Sequence, residues 1–281
     1  MNAGIDFGTT FTKAVWKAKD KDEYRFYSTA ENQLEEIINQ MKADDITQIY
    51  AAGINYKCAK KLKKEFKIIK NGEDKIQNEI CLQVDGVRKL LNLKNKNKTL
   101  DEFLIVSIGS GTSYTLVREN KKLKFPFGSC IGGDFIKGLS TTYGSNDYNK
   151  MLKLANKGKS LDIKIKDLLP NKKFTFEGNL IISCFGKATN ESKLEDIYHS
   201  IINCVAVSTI KDILVMNMIP KYVIPKNIVY IGSTIPNSPL KKLLSKYTLF
   251  IGKKAHFPKK PEYALAMGAY QQALKYEWKS Y

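Results

Sequence analysis

Two segments of this 281-residue chain constrain its fold more than any others: GIDFGTTFTK over residues 4–13 and IVSIGSGTSY over residues 105–114. Each reads as an apolar strand that ends in a Gly/Ser/Thr turn and resumes as a second strand. Glycine reaches positive φ and admits close approach, so backbone N–H groups and small hydroxyls in such a turn can close around an anion. One turn of this kind reads as a plain β-hairpin. Two of them, each opening the first hairpin of a βββαβα run, point to a pair of turns that grip a polyphosphate from both sides.

Hydrophobic periodicity supplies the rest of the plan. It predicts strands over 2–17 around the first turn, a third strand over 23–27, a helix over 32–41 and a strand over 47–51. A helix over 56–65, a strand over 66–69 and an amphipathic helix over 74–93 carrying Ile76, Ile80, Val84, Val87 and Leu91 complete a first lobe. The polar stretch 94–100 marks the boundary, giving lobes at 1–97 and 98–281. The second lobe repeats the meander over 103–107, 113–119 and 122–125, then has helices over 134–143 and 148–155. Its long helix, 194–218, is apolar on more than one stripe, as in a central helix or half of an oligomer interface. A strand over 227–231 ends in Gly232, Ser233 and Thr234, and a helix over 263–276 closes the chain.

Lys+Arg at 46 against Asp+Glu at 28 gives a net charge of +18, a balance that raises nucleic acid or an anionic membrane as partners. The lysines are scattered in pairs and short runs, arginine is scarce, and no nucleic-acid-binding motif accompanies them. The charge therefore reads as a solvated face, with neither nucleic acid nor membrane expected. Cysteines at 58, 81, 130, 184 and 204 lack CxxC spacing and read as buried thiols of a reducing compartment. His199 and His256 fit no metal-ligand pattern. With no leader-like segment ahead of the first strand and no apolar run read as approaching membrane-spanning length, the expected location is cytoplasmic.

Motifs along nearly the whole chain resemble those of the type II pantothenate kinases, the eukaryotic-like and staphylococcal class of the actin/sugar-kinase/Hsp70 superfamily. DFGTTFTK is similar to the family's DxGGTxxK, SIGSGTSY to N(I/V)GSGxS, and QVDGVRKLL to an ExDxxxxGLL-like segment. FGSCIGGDFIKGL resembles the stretch GGxxxGGGxxxGL, SCFGKA resembles (A/S)SFGK, and VYIGSTIPN with PEYALAMGAY resembles IGxSxxxN with a closing GAxGA helix. Each is weak alone; their order and spacing together are specific.

The resemblance implies a two-lobed actin-like ATPase (ribonuclease-H-like) α/β fold, each lobe a mixed sheet flanked by helices. It also implies ATP and Mg²⁺ as ligands, phosphorylation of pantothenate in the first step of coenzyme A synthesis, a homodimer, and coenzyme A or acyl-CoA as a further ligand. On that pattern Asp6 is the Mg²⁺-side carboxylate, since a hard cation takes oxygen ligands. Gly8, Thr9, Thr10 and Lys13 hold the β- and γ-phosphates, Ser107 and Gly109, Ser110, Gly111 and Thr112 form the opposite wall, and Gly232 and Ser233 line the nucleoside side. Gly132 and Gly133 fall at the substrate.

Two positions depart from the pattern. The family's general base, the glutamate that begins the helix segment, is matched here to Gln83, which can hydrogen-bond a hydroxyl but cannot take its proton. The family's substrate-holding arginine is matched to Phe125. Asp85 is a candidate alternative base, although two positions along a helix it points about 160–200° away from Gln83. Glu79, one turn before Gln83, and Lys124, beside Phe125, read as solvated surface charges. Two readings follow: a kinase with impaired turnover, or a pseudokinase that binds nucleotide or coenzyme A as a regulatory or heteromeric partner. An acyl-CoA dehydratase activator of the same superfamily would need a cysteine-ligated cluster, for which no cysteine pair is evident.

Overall fold

A computed structural model describes residues 1–8, 11–18, 23–29, 34–53, 56–69, 75–94, 100–118, 121–174 and 177–277. The chain divides into two units. The first comprises Met1–Asp101, Val117–Lys124 and Phe257–Tyr281, and the second Glu102–Leu116 and Phe125–His256.

In the first unit, β1 (Asn2–Phe7), β2 (Thr12–Lys17), β3 (Tyr24–Thr29), β4 (Gln48–Gly53) and β5 (Lys67–Ile69) form a mixed sheet ordered β3-β2-β1-β4-β5. Central β1 is antiparallel to β2 and parallel to β4 and is buried along its whole length. Helix α1 (Leu34–Ala43) buries Leu34, Ile37, Ile38 and Met41, the stripe that the sequence predicts. Helices α2 (Tyr56–Glu65) and α3 (Lys75–Lys94) follow at the expected places.

The second unit repeats the plan with β6 (Phe103–Ile108), β7 (Thr112–Arg118), β8 (Lys121–Lys124), β11 (Asn227–Ile231) and β12 (Lys254–His256). Its order, β12-β11-β6-β7-β8, is the first sheet's arrangement over again, with β11 parallel to both neighbours. The end of β7 and all of β8 group with the first unit. Helices α4 (Gly133–Thr142) and α5 (Tyr148–Ala155) precede a small addition that the sequence reading missed: β9 (Ile163–Lys164), α6 (Ile165–Leu168) and β10 (Ile181–Ser183). The sequence periodicity also leaves out β12, which pairs with β11, and α8 (Leu240–Phe250), which packs on β12.

Helix α7 (Leu194–Asn217) packs on α4, α5 and α8 and buries residues on several stripes, among them Ile197, Ile201, Ile202, Val205 and Ile213. It is long and apolar enough to meet the length and composition of a membrane span, which corrects the expectation that no run approaches it. About 56% of the apolar stretch is buried inside the protein itself.

The last helix, α9 (Ala264–Glu277), returns to the first unit, so the contiguous split at 97/98 does not describe the packing. Its alanines and glycine allow backbone contact with α3 and β1. A Cβ on Gly86 would lie 1.7 Å from the Ala264 carbonyl oxygen, and one on Gly268 would lie 1.8 Å from that of Leu82. No side chain fits there without separating the helices. The thiols also differ from expectation: Cys130 and Cys184 are exposed, Cys81 and Cys204 half-buried, and the Cys58 side chain lies outside the described residues.

Candidate functional site

Asp6 stands near the end of β1 and is paired in register with Lys13 of β2, which brings the Lys13 Nζ to 3.7 Å from Asp6 Oδ2. The Gly8 N–H donates to the Phe11 carbonyl at 3.2 Å and closes the hairpin; Thr9 and Thr10 lie outside the described residues. Burial pushes the Asp6 carboxyl up to about 6, opposed by the Lys13 ammonium and reinforced by the negative charge of Glu79.

The charge of Glu79 thus reaches Asp6, though more weakly than burial and Lys13 act on it. Glu79 in turn forms an ion pair with Lys124 at 3.5 Å. The first unit thus holds two carboxylate–ammonium pairs, Asp6 with Lys13 and Glu79 with Lys124, and the second pair is partly solvent-exposed, in keeping with the surface charges that the sequence suggests. The donor set suits a nucleotide-bound Mg²⁺, which takes one or two carboxylates and completes its shell with phosphate oxygens and water. Among the described residues no cluster of three or more His, Cys, Asp or Glu could hold a metal by itself.

Asp85 goes elsewhere. Its carboxylate accepts a hydrogen bond from Gln272 Nε2 at 3.0 Å and lies 3.7 Å from Lys275 Nζ, so it serves the contact between α3 and α9. Gln83, half-buried, lies one turn beyond Glu79 on α3. A second register of ExDxxxxGLL is open: its glycine follows the glutamate by seven positions, and counting back seven from Gly86 reaches Glu79, whereas the match to Gln83 keeps the motif's aspartate at Asp85. In that register Cys81 replaces the motif's aspartate. The close approach of Gly86 to Ala264 gives a motif glycine at 86 a packing reason.

In the second unit the turn after β6 is built from backbone hydrogen bonds. Thr112 and Ser129 exchange N–H···O bonds at 2.8 Å, and the N–H groups of Gly133 and Asp134 donate to the carbonyls of Gly109 and Ser110 at 2.6 and 3.1 Å. Gly132 and Gly133, expected at the substrate, therefore seat the turn: Cβ atoms there would stand 2.6 Å from Gly111 Cα and 2.7 Å from the Gly109 oxygen. The Thr112 hydroxyl donates to the Ile131 carbonyl at 2.9 Å, so its side chain braces the turn. Gly232 has φ of +115°, and its α-carbon leaves no room for a Cβ, which would lie 2.1 Å from the Ile108 oxygen. The Thr234 hydroxyl donates to that same oxygen at 2.6 Å, while Ser233 is exposed. Gly109–Thr112, Gly132–Gly133 and Gly232–Thr234 are thus one construction, with Ser107 and Ser110 half-buried within it.

Phe125 is 4% exposed and packs on Tyr222 with ring centroids 4.7 Å apart. It fills an aromatic cluster, so the departure from arginine is a packing solution. The adjoining cation, Lys124, is the one that faces Glu79.

The family model Fumble matches residues 2–272. The chain is 29% identical over 286 residues to a type II pantothenate kinase of Bacillus cereus, covering 97% of this chain and 98% of that one. It is 25% identical over 279 residues to one of Staphylococcus haemolyticus, covering 96% and 98%. Among solved structures it is similar to the activator of the 2-hydroxyisocaproyl-CoA dehydratase from Clostridium difficile with bound ADPNP. That likeness has a TM-score of 0.64 at 17% identity over 99% of this chain and 96% of that one. A ROK family glucokinase from Streptomyces griseus gives 0.54 at 10% identity, over 98% and 99%. These likenesses show the expected two-lobed actin-like α/β fold.

Proposed function

Because the chain belongs to the Fumble family, the type II pantothenate kinases, we propose that it is a working ATP-dependent kinase that phosphorylates pantothenate, with Glu79 as its general base. The observation that supports this reading is the Glu79–Lys124 ion pair on the helix that resembles the family's base-bearing segment, with the charge of Glu79 felt at Asp6. In the proposed reaction Glu79 accepts the proton of the pantothenate hydroxyl as its oxygen bonds to the γ-phosphorus, and the bond from phosphorus to the ADP leaving oxygen breaks. Asp6 would hold the nucleotide's Mg²⁺, which when bound would supply positive charge to the phosphates. Within the first unit Lys13 offers an ammonium to phosphate, and within the second the Gly109–Thr112 turn offers backbone N–H groups. Lys124 supplies a cation for the substrate in place of the family arginine. A cytoplasmic homodimer, with coenzyme A or its thioesters as further ligands, completes the reading; the exposed Leu214, Val215 and Met218 of α7 and following it support an interface.

A coupled ADP-release assay with pantothenate tests it. Wild type turns over, Glu79→Gln lowers kcat by about 10²–10⁴-fold with ATP binding retained, and Gln83→Ala changes kcat only a few-fold. Phe125 is the observation that favours the second reading, a pseudokinase. ATP binding without turnover on pantothenate would support that reading and overturn the first.

A further inference from the structure

Two thiols meet in the second unit. Cys184 follows β10 and is exposed, Cys204 lies on α7 and is half-buried, and each thiol perturbs the other's proton affinity. They are twenty positions apart, so no spacing motif announces the pair. A buried carboxylate brings them together. Asp162, with no exposed surface, accepts through Oδ1 from the N–H of Phe185, the residue after Cys184, at 2.9 Å. Through Oδ2 it accepts from Nδ2 of Asn203, the residue before Cys204, at 2.5 Å, and from the Ser160 hydroxyl. Asn203 Oδ1 accepts in turn from the Tyr247 hydroxyl at 2.8 Å.

The backbone beside Cys184 is committed to this arrangement. Phe185 has φ of +59°, the left-handed region that a bulky residue enters only when its surroundings over-determine it. Gly186 next to it lies against Ile163, 2.5 Å from Cδ1 to a built Cβ. Because both immediate neighbours of the thiols bind one carboxylate, the pair is preset in the reduced chain.

We propose that Cys184 and Cys204 form a thiol–disulfide exchange site whose co-reactant is a low-molecular-weight disulfide, with Cys184 attacking and Cys204 resolving. Cys184 loses its proton and its sulfur bonds to one sulfur of the disulfide RSSR; the S–S bond breaks and the first RS⁻ leaves, taking up that proton. Cys204 then loses its proton and attacks the Cys184 sulfur, expelling the second RS⁻, which is protonated. Two protein thiols are oxidised to one disulfide and RSSR is reduced to two RSH. The assignment of roles follows from that mutual effect. Cys204 holds the exposed Cys184 below the usual thiol range, while Cys184 and burial push Cys204 up. The product bridge fastens the turn after β10 to α7. None of this depends on the kinase reading.

The test is equilibration of the full chain with oxidised glutathione, followed by non-reducing peptide mapping by mass spectrometry. Wild type is expected to give a 184–204 linked peptide that has lost two hydrogens, reversed by excess reduced glutathione. Cys204→Ser should instead accumulate glutathione on Cys184 at about tenfold or more the wild-type level, since nothing resolves the mixed disulfide. Cys184→Ser should leave Cys204 unmodified. Circular dichroism of each variant confirms the fold. Absence of the linked peptide in folded wild type, or equal glutathione on Cys184 in wild type and Cys204→Ser, would overturn the proposal.

Discussion

Replacing Asp6 by Asn should make the free protein more stable and the nucleotide-binding protein worse. The Asp6 carboxyl moves from 3.8 to about 6 on folding, chiefly through burial. Its folded value is the raised one, so the folded chain binds more protons than the unfolded chain between those limits. Stability is therefore full below about 3.8, falls as pH rises through about 6, and stays reduced at neutral pH. The shift corresponds to at most about 3 kcal/mol at pH 7.5, the energy of holding a charged Asp6 with only Lys13 to offset it. Asparagine keeps the shape and the hydrogen bond without the charge. Chemical denaturation of the nucleotide-free variant at pH 7.5 should show a gain of about 1–3 kcal/mol, and its stability between pH 4 and 6.5 should lack the wild-type decline. Calorimetry on the same variant should show weakened Mg²⁺-dependent ATP binding. Equal stability at pH 7.5 together with parallel pH profiles would refute the reasoning, because the buried charge would then carry no cost.

The remaining sites make sharper structural demands. Phe125→Arg, the change that the motif comparison suggests would restore the family residue, should destabilise the second unit by about 3 kcal/mol or more, since it sets a guanidinium in the Tyr222 contact; denaturation midpoints check it. Lys124→Ala should raise KM for pantothenate more than it lowers kcat if the ammonium holds substrate, as steady-state kinetics would show. Gly86→Ala should cost about 1–3 kcal/mol and lower kcat as well, because α9 must leave both β1 and α3, which carry Asp6 and Glu79. Sedimentation should give twice the 31.9 kDa chain mass, and Met218→Lys should shift it towards a single chain.

Long periodic segments were legible because their burial is local in sequence. Leu34, Ile37, Ile38 and Met41 carry α1's inward face by themselves, and β6 announces itself by six consecutive residues that suit a buried strand. Strands β9 and β10, two and three residues long, are too short to show a period; they are fixed by tertiary bonds such as that of Asp162 to Phe185. Helix α9 was read as a helix but not as part of the first unit, since what assigns it there is steric fit with Gly86 and Leu82, well over a hundred positions away. The site shows the same division. The two Gly/Ser/Thr turns are legible from local turn chemistry, while the roles of Asp6 and Lys13 come from the family resemblance alone. Glu79 was passed over because helix geometry gives it and Gln83 the same face, so periodicity on α3 cannot choose between them. The proposal of Glu79 rests on features outside that helix's periodicity: the seating of Gly86 on Ala264, which gives a motif glycine at 86 a packing reason, and the charge of Glu79 felt at Asp6 on β1. A base assigned by residue type within one helix is therefore only as good as the register it assumes. In this chain the proposed register rests on the packing of α3 on α9.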